Sequence, residues 1–251
     1  MTLKSIFGWI LLLGIVIGGG WFLMQQKAVP TAAPIIEKKT VAASDPNGAY
    51  DIDIEYPFIT GLPLLTAAKV NTEIQKDIDA LAIAFKQDAE TTDGASTTEK
   101  SALLVRYNVL YQDPRLVSIR FDIAVYSAGA AHPNSFTTTL VYDLGTGIVV
   151  RLADIFKKGV DPLAFLSSYT AKALMARNGL AGSADMVAAG TAPKAENFKS
   201  YLVTREGLLV IFDPYQVAAY AAGPQEVVVP WSALAGSLAS DGPVAHLVPL
   251  K

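Results

Sequence analysis

Between Ile52 and Phe58 every second residue is apolar, with Ile52, Ile54, Tyr56 and Phe58 set against Asp51, Asp53 and Glu55. That period of two predicts a half-buried strand. The period then lengthens. Val70, Ile74, Ile78, Leu81 and Phe85 recur at spacings of three and four, with Lys69, Glu73, Lys76 and Asp77 between them. This predicts an amphipathic helix with one face on a sheet. After the polar break "AETTDGASTTEKS", two alternating runs, "LLVRYNVLY" and "LVSIRFDIAVY", flank "QDPR", whose Asp-Pro pair predicts a turn. In the second run Val117, Ile119, Phe121, Ile123 and Val125 share one face, opposed by Ser118, Arg120 and Asp122. The pattern predicts an antiparallel strand with one wet side.

"FTTTLVYDL" predicts another strand, which "GTG" turns into "IVV". A short helix is expected at "LADIF". A longer one follows from Asp161 as N-cap, Pro162 at the first helical position and Gly179 beyond the end. The small residues from about Leu180 to Ala192 predict a loop. "YLVT", "LLVIF" and "EVVVPW" return to strands. The fold class expected is α+β, an antiparallel sheet with a few packed helices, without a parallel βαβ fingerprint.

Ahead of these elements stands an uncharged apolar run, Ile6 to Met24, about long enough to cross the ~30 Å core of a bilayer as a helix. A cleaved signal would have a shorter apolar region and an A-x-A-like site, whereas Gln25, Gln26 and Lys27 follow Met24. The expectation is one N-terminal transmembrane helix serving as an uncleaved anchor within residues 1–27. A flexible tether over 28–47 and an extracytoplasmic α+β domain over 48–251 would follow. The tether is suggested by three prolines and the absence of a sustained period. The expected place is the cytoplasmic membrane, single-pass, with the large domain outside.

Half the residues are apolar and the net charge is −3, without a basic block, so nucleic acid is not an expected partner. Cysteine is absent, which excludes disulfides, thiolate catalysis and Cys-ligated zinc. The chain has no G-x-S-x-G, no phosphate loop and no H-E-x-x-H motif, and no cofactor, metal site or catalytic residue is expected.

Two stretches carry the candidate binding residues. "YSAGAAHPNSF" holds His132, one of two histidines, which would either meet a ligand or act as a base on an exposed loop, or close the turn by capping backbone groups. "FDPYQVAAYAAGPQEVVVPW" holds Tyr215 and Tyr220 in a proline-framed connection. These rings would either offer contact area to a ligand or plug a sheet edge. Arg120 and Asp122 read as ordinary solvated surface.

Taken together, Gly129, His132, Pro133, the Asp143-Leu144-Gly145-Thr146-Gly147 turn, Asp154, Phe156, Pro214, Tyr215, Tyr220, Gly223 and Pro230 resemble the RsiV-like extracytoplasmic domain family. That family is known from the C-terminal region of a lysozyme-sensing anti-sigma factor and from regions beside polysaccharide deacetylases. The resemblance runs from about Tyr50 to Leu234. It implies an α+β domain outside the membrane whose role is binding. It extends neither to a sigma-binding segment, since Met1 to Ser5 alone precede the apolar run, nor to a deacetylase catalytic domain.

The function expected is a membrane-tethered envelope domain that binds a wall component such as peptidoglycan, or an envelope protein, without catalysis. The alternative is an enzyme acting on a wall glycan or peptide, with His132 and Asp122 as an acid-base pair.

Overall fold

The computed structural model describes residues 32–92 and 99–248, so the expected anchor at 6–24 lies outside the described residues. Among the described residues no helix is long and apolar enough to cross a membrane. Among the described residues nine strands form two sheets. The first has six strands in sequence order: β1 (Ile35–Ser44), β2 (Tyr50–Thr60), β3 (Ser101–Gln112), β4 (Leu116–Tyr126), β5 (Asn134–Asp143) and β6 (Ile148–Val149). The second has three, β7 (Tyr201–Val203), β8 (Gly207–Phe212) and β9 (Gln225–Pro230). With its few helices the fold is α+β.

Helix α1 (Leu64–Thr92) joins β2 to β3 and lays Val70, Ile74, Ile78, Phe85 and Ala89 on the first sheet, the face its period of three and four foretells. At its start Asn71 bonds both backbone groups of Ile59, its amide donating to the carbonyl at 2.8 Å and its oxygen accepting from the N–H at 2.7 Å. The 29-residue helix rises about 44 Å, which returns the chain to the level where β2 began. Tyr50 therefore stands opposite Ser101, and β2 and β3 run parallel. The wholly antiparallel sheet expected from the sequence has this one parallel pair, because a strand, a helix and a strand in that order form a crossover.

The stretch expected to be a tether contains β1. Ile35–Ser44 pairs antiparallel with β2 along its whole length, Lys38 meets Glu55 at 3.0 Å, and the Lys39 ammonium lies over the Phe58 ring. Consecutive lysines conceal the alternation of a strand at the edge of a sheet, where charge is favoured.

Helices α2 (Leu152–Ile155), α3 (Pro162–Met175), α4 (Ala184–Gly190) and α5 (Trp231–Leu234) belong to the second half. Asp161 caps α3, accepting from the N–H groups of Leu163 and Ala164, with Pro162 at the first position. Where small residues suggested a loop, the chain forms a 3₁₀ turn (Asn178–Ser183) and α4. At Gly190 smallness serves close packing, since a Cβ there would stand 2.0 Å from the Gln216 carbonyl oxygen.

Two hydrophobic cores result. One lies between α1 and the first sheet. The other is built around β7–β9 and α3 and takes in Leu116, Val141 and Val150 from the end of the first sheet. Between the sheets runs a polar seam. The Val203 N–H donates to the Ser118 hydroxyl, the Ser200 hydroxyl to the Thr137 carbonyl, and the Tyr201 N–H to the Thr139 hydroxyl, at 3.0, 3.0 and 3.1 Å. Ser118 is therefore fully buried, and the side of β4 expected to be wet is covered over this part of its length. Small hydroxyl residues read as solvent-facing, yet they satisfy the backbone of a second layer.

Candidate functional site

The segment from Asp213 to Pro224, between β8 and β9, is irregular but pinned. Asp213 accepts the Thr137 N–H at 3.0 Å and pairs with Lys199 at 3.1 Å. Gln216 accepts the Asp213 N–H and donates to the carbonyls of Gly190 and Asn197, while Val217 and Ala218 are buried. Between these fixed points Tyr215 has φ 69°, the left-handed region that non-glycine residues rarely occupy. Such a backbone persists only where the surroundings impose it, and the side chain is then aimed by the turn rather than by its own preference.

Tyr215 leans on Tyr220, with ring centroids 5.3 Å apart and planes inclined by 32°. Tyr220 stacks in turn on His132, at 4.6 Å and 25°. The three candidate residues thus come together as one aromatic ladder at the surface, with Tyr215 60% exposed at its outer end. His132 is itself exposed. Its Nδ1 lies 3.0 Å from the carbonyl oxygen of its neighbour Pro133, and the Tyr220 hydroxyl reaches that oxygen at 3.5 Å. Its contacts are thus the Tyr220 ring and an exposed backbone oxygen.

Beside the ladder lies a groove of about 200 Å³ between the first sheet and the segment that joins β8 to β9. Pro214 and Pro224, from the same pinned segment, form part of its wall, and Arg106, Arg120 and Asp122 reach it from β3 and β4. The Arg120 side chain is only 18% exposed, and it bridges the sheets by donating to Asp122 at 2.6 Å and to Glu226 of β9 at 2.5 Å. Burial opposes its charge, but these two bonds raise its pKa above the usual arginine value. Arg106 bonds Asp53 at 2.5 Å and holds that carboxyl below the ordinary range.

The pair expected to be solvated surface is therefore part of the joint between sheets. Asp122 is also joined by the Asn108 amide at 3.5 Å, whereas His132 faces Tyr220 and Pro133. The structure does not bring His132 and Asp122 together as an acid-base pair. The neighbouring Arg106–Asp53 pair, and the partner Glu226, have no local signature in the sequence, because only the strand register and the packing of β9 bring them there.

A second polar cluster involves the other histidine. His246 Nε2 stands 2.6 Å from Asp113, which also accepts from the Tyr111 hydroxyl at 2.8 Å and from the N–H groups of Arg115 and Leu116, both at 2.7 Å. Burial raises the Asp113 pKa, but these donors outweigh it and hold the carboxyl below its ordinary value. Among the described residues no group of three or more His, Asp and Glu is placed to hold a metal ion.

Two known families match this chain. The one described as "Protein of unknown function (DUF3298)" matches residues 153–232, and the one described as "Deacetylase PdaC" matches residues 44–135. The first of these lies in the second half, and the other covers β2, α1, β3 and β4. A relative from Bacillus subtilis (strain 168), the peptidoglycan-N-acetylmuramic acid deacetylase PdaC, is 27% identical over 179 residues, covering 71% of this chain. The aligned residues span 38% of that protein's length. Among solved structures, a DUF3298 family protein from Pseudomonas aeruginosa PAO1 superposes with a TM-score of 0.61 at 15% identity, covering 86% of this chain and 98% of the other. A member of the same family from Bacteroides fragilis NCTC 9343 gives 0.54 at 17%, covering 89% and 99%. These two share the fold. The deacetylase side of the resemblance read from the sequence thus has a match, while the anti-sigma side is carried by the quoted residues alone.

Proposed function

We propose that this chain is a membrane-tethered envelope domain that binds a glycan component of the cell wall, without catalysis, through the ladder of Tyr215, Tyr220 and His132. The observation that carries the reading is the ladder itself. Three rings from two distant segments are held at the surface by a pinned, left-handed turn, and they border a groove walled by arginines and prolines. Tyrosine offers a flat apolar face at low entropic cost, suited to the C–H face of a sugar ring. The adjoining groove adds polar groups, since Arg106 is paired with Asp53 and Arg120 with Asp122 and Glu226, and the remaining lone pairs of these carboxylates suit the hydroxyl and amide groups of such a polymer. Likeness to a protein named for action on peptidoglycan supports the same compartment and class of partner. The apolar run at 6–24 supports the tether.

The test is co-sedimentation of the detergent-solubilised full chain with purified insoluble peptidoglycan. Tyr215→Ala and Tyr220→Ala are each expected to weaken binding by about 2 kcal/mol, the scale of a central aromatic anchor, and to retain a cooperative melt. Undiminished binding by both variants removes the ladder from the interface. A wild-type chain that stays in the supernatant, yet crosslinks to a protein in cells, replaces the glycan with a protein partner. Release of fragments or acetate from the polymer by the purified chain would favour the enzyme instead.

A further inference from the structure

The three most exposed large apolar side chains among the described residues gather at one end of the domain. Leu65 and Leu64, in the first turn of α1, are 85% and 83% exposed, and Ile35, at the start of β1, is 62% exposed. Ile35 pairs with Thr60, and a Cβ on Gly61 would stand 3.6 Å from the Ile35 nitrogen, so β1 begins where β2 passes into α1. A third piece of chain arrives at the same place. A Cβ on Gly147 would lie 3.3 Å from the Thr66 methyl group, and the next residue, Ile148, is 54% exposed. Three separate segments thus present unpaired aliphatic side chains around the start of one helix.

We infer that this apolar tip, Ile35, Leu64, Leu65 and Ile148, rests in the interface of the bilayer that carries the anchor. The inference rests on the tethered reading proposed above. The occupant is decided by the length of chain outside the fold. Ten residues, 25–34, join the apolar run to β1, a span of at most about 35 Å when fully extended. Pro34 is already buried beside Gly61, which shortens it further. Because β1 absorbs the stretch expected to be a free leash, the end of the domain where the chain enters is the end held against the membrane. Charge agrees. The first turn of α1 has no acidic residue, and the exposed Lys69 follows it, its ammonium 3.5 Å from the Thr146 carbonyl. Leucine and isoleucine tips with lysine behind them suit the boundary between acyl chains and anionic headgroups.

The absence of cysteine permits single labels on the full chain. Leu65→Cys, Ile148→Cys and, on the exposed β7–β8 turn, Glu206→Cys would each carry an environment-sensitive fluorophore. The labelled chains would be reconstituted in phosphatidylethanolamine/phosphatidylglycerol vesicles. Labels at 65 and 148 are expected to shift to the blue and to be quenched by lipids bearing a shallow spin label, while that at 206 keeps its aqueous emission. Labels at 65 and 148 that remain aqueous, in a chain that resists alkaline extraction, overturn this inference and leave the anchor standing. A chain that alkali extracts overturns the anchor, and this inference with it. A blue-shifted label unaffected by the spin-labelled lipid, but showing energy transfer between copies, assigns the tip to self-association and overturns it as well.

Discussion

Replacing Asp113 by Asn tests the second polar cluster. Its Oδ1 accepts the N–H groups of Arg115 and Leu116 and so shapes the β3–β4 turn, a task that an amide oxygen can perform. Its Oδ2 takes the Tyr111 hydroxyl at 2.8 Å and His246 Nε2 at 2.6 Å, and the carboxylate and imidazole are 17% and 20% exposed. Since a carboxylate only accepts, the histidine contact requires the proton on Nε2. An amide NH₂ turned toward both donors loses two bonds to a charged group. Such bonds are worth about 1.5–3 kcal/mol each, and with partial exposure the net loss expected for Asp113→Asn is about 2–3 kcal/mol. In a chain of this size that corresponds to a fall in melting temperature of roughly 5–10 °C.

The pH dependence gives a sharper test. The folded Asp113 pKa lies below its ordinary value, so the unfolded chain binds the proton more readily. The stabilisation is fully present above the ordinary carboxylate range and is lost as pH falls through the depressed value. Wild-type and Asp113→Asn melts, followed by circular dichroism in detergent, are expected to differ most at neutral pH and to converge in acid. His246→Ala added to Asp113→Asn is expected to cost little more than Asp113→Asn alone, since both remove the same contact. A difference independent of pH, or two losses that simply add, would refute this account of the cluster.

Tyr215→Gly is expected to raise stability by about 1 kcal/mol, because glycine adopts the left-handed backbone without penalty, while peptidoglycan binding falls; denaturant titration and co-sedimentation on one preparation check both. Gly190→Ala, which places a methyl group against the Gln216 carbonyl, is expected to cost at least about 1–3 kcal/mol and to weaken binding by displacing the Tyr215 turn, as urea melts and co-sedimentation will report. Ser118→Ala, which orphans the buried Val203 N–H, is expected to cost about 1–3 kcal/mol, with faster hydrogen exchange at that amide as the local readout.

Elements whose apolar residues face one core were legible from sequence. The period of two over Tyr50–Ile54 of β2 and Ile119–Ile123 of β4, and the period of three to four in α1, report the faces that meet in the first core, and Asp161-Pro162 marks a helix start by local chemistry. What stayed hidden depends on a second neighbour. Ser118 and Thr137 look solvent-facing until β7 covers them, β1 looks like a linker until β2 pairs with it, and Gly190 looks like slack until Gln216 packs on it. Among the candidate site residues, His132, Tyr215 and Tyr220 stand out singly by residue type and flanking prolines. Their ladder joins positions far apart in sequence and has no local signature. Asp113 and His246, 133 residues apart, meet only because the segment after α5 folds back on the β3–β4 hairpin.

The polar seam bears on the autonomy of the two halves. One matched segment ends at residue 135, at the start of β5, and the other begins at residue 153, within α2, as though each half were a separable module. Yet the second core borrows Leu116, Val141 and Val150 from the first sheet, and Ser118 and Thr137 complete hydrogen bonds that begin on β7 and its approach. A chain cut in the linker would leave one half with an open flank and both with orphaned donors or acceptors. The unit that folds, and that can be exchanged between proteins, is therefore the pair.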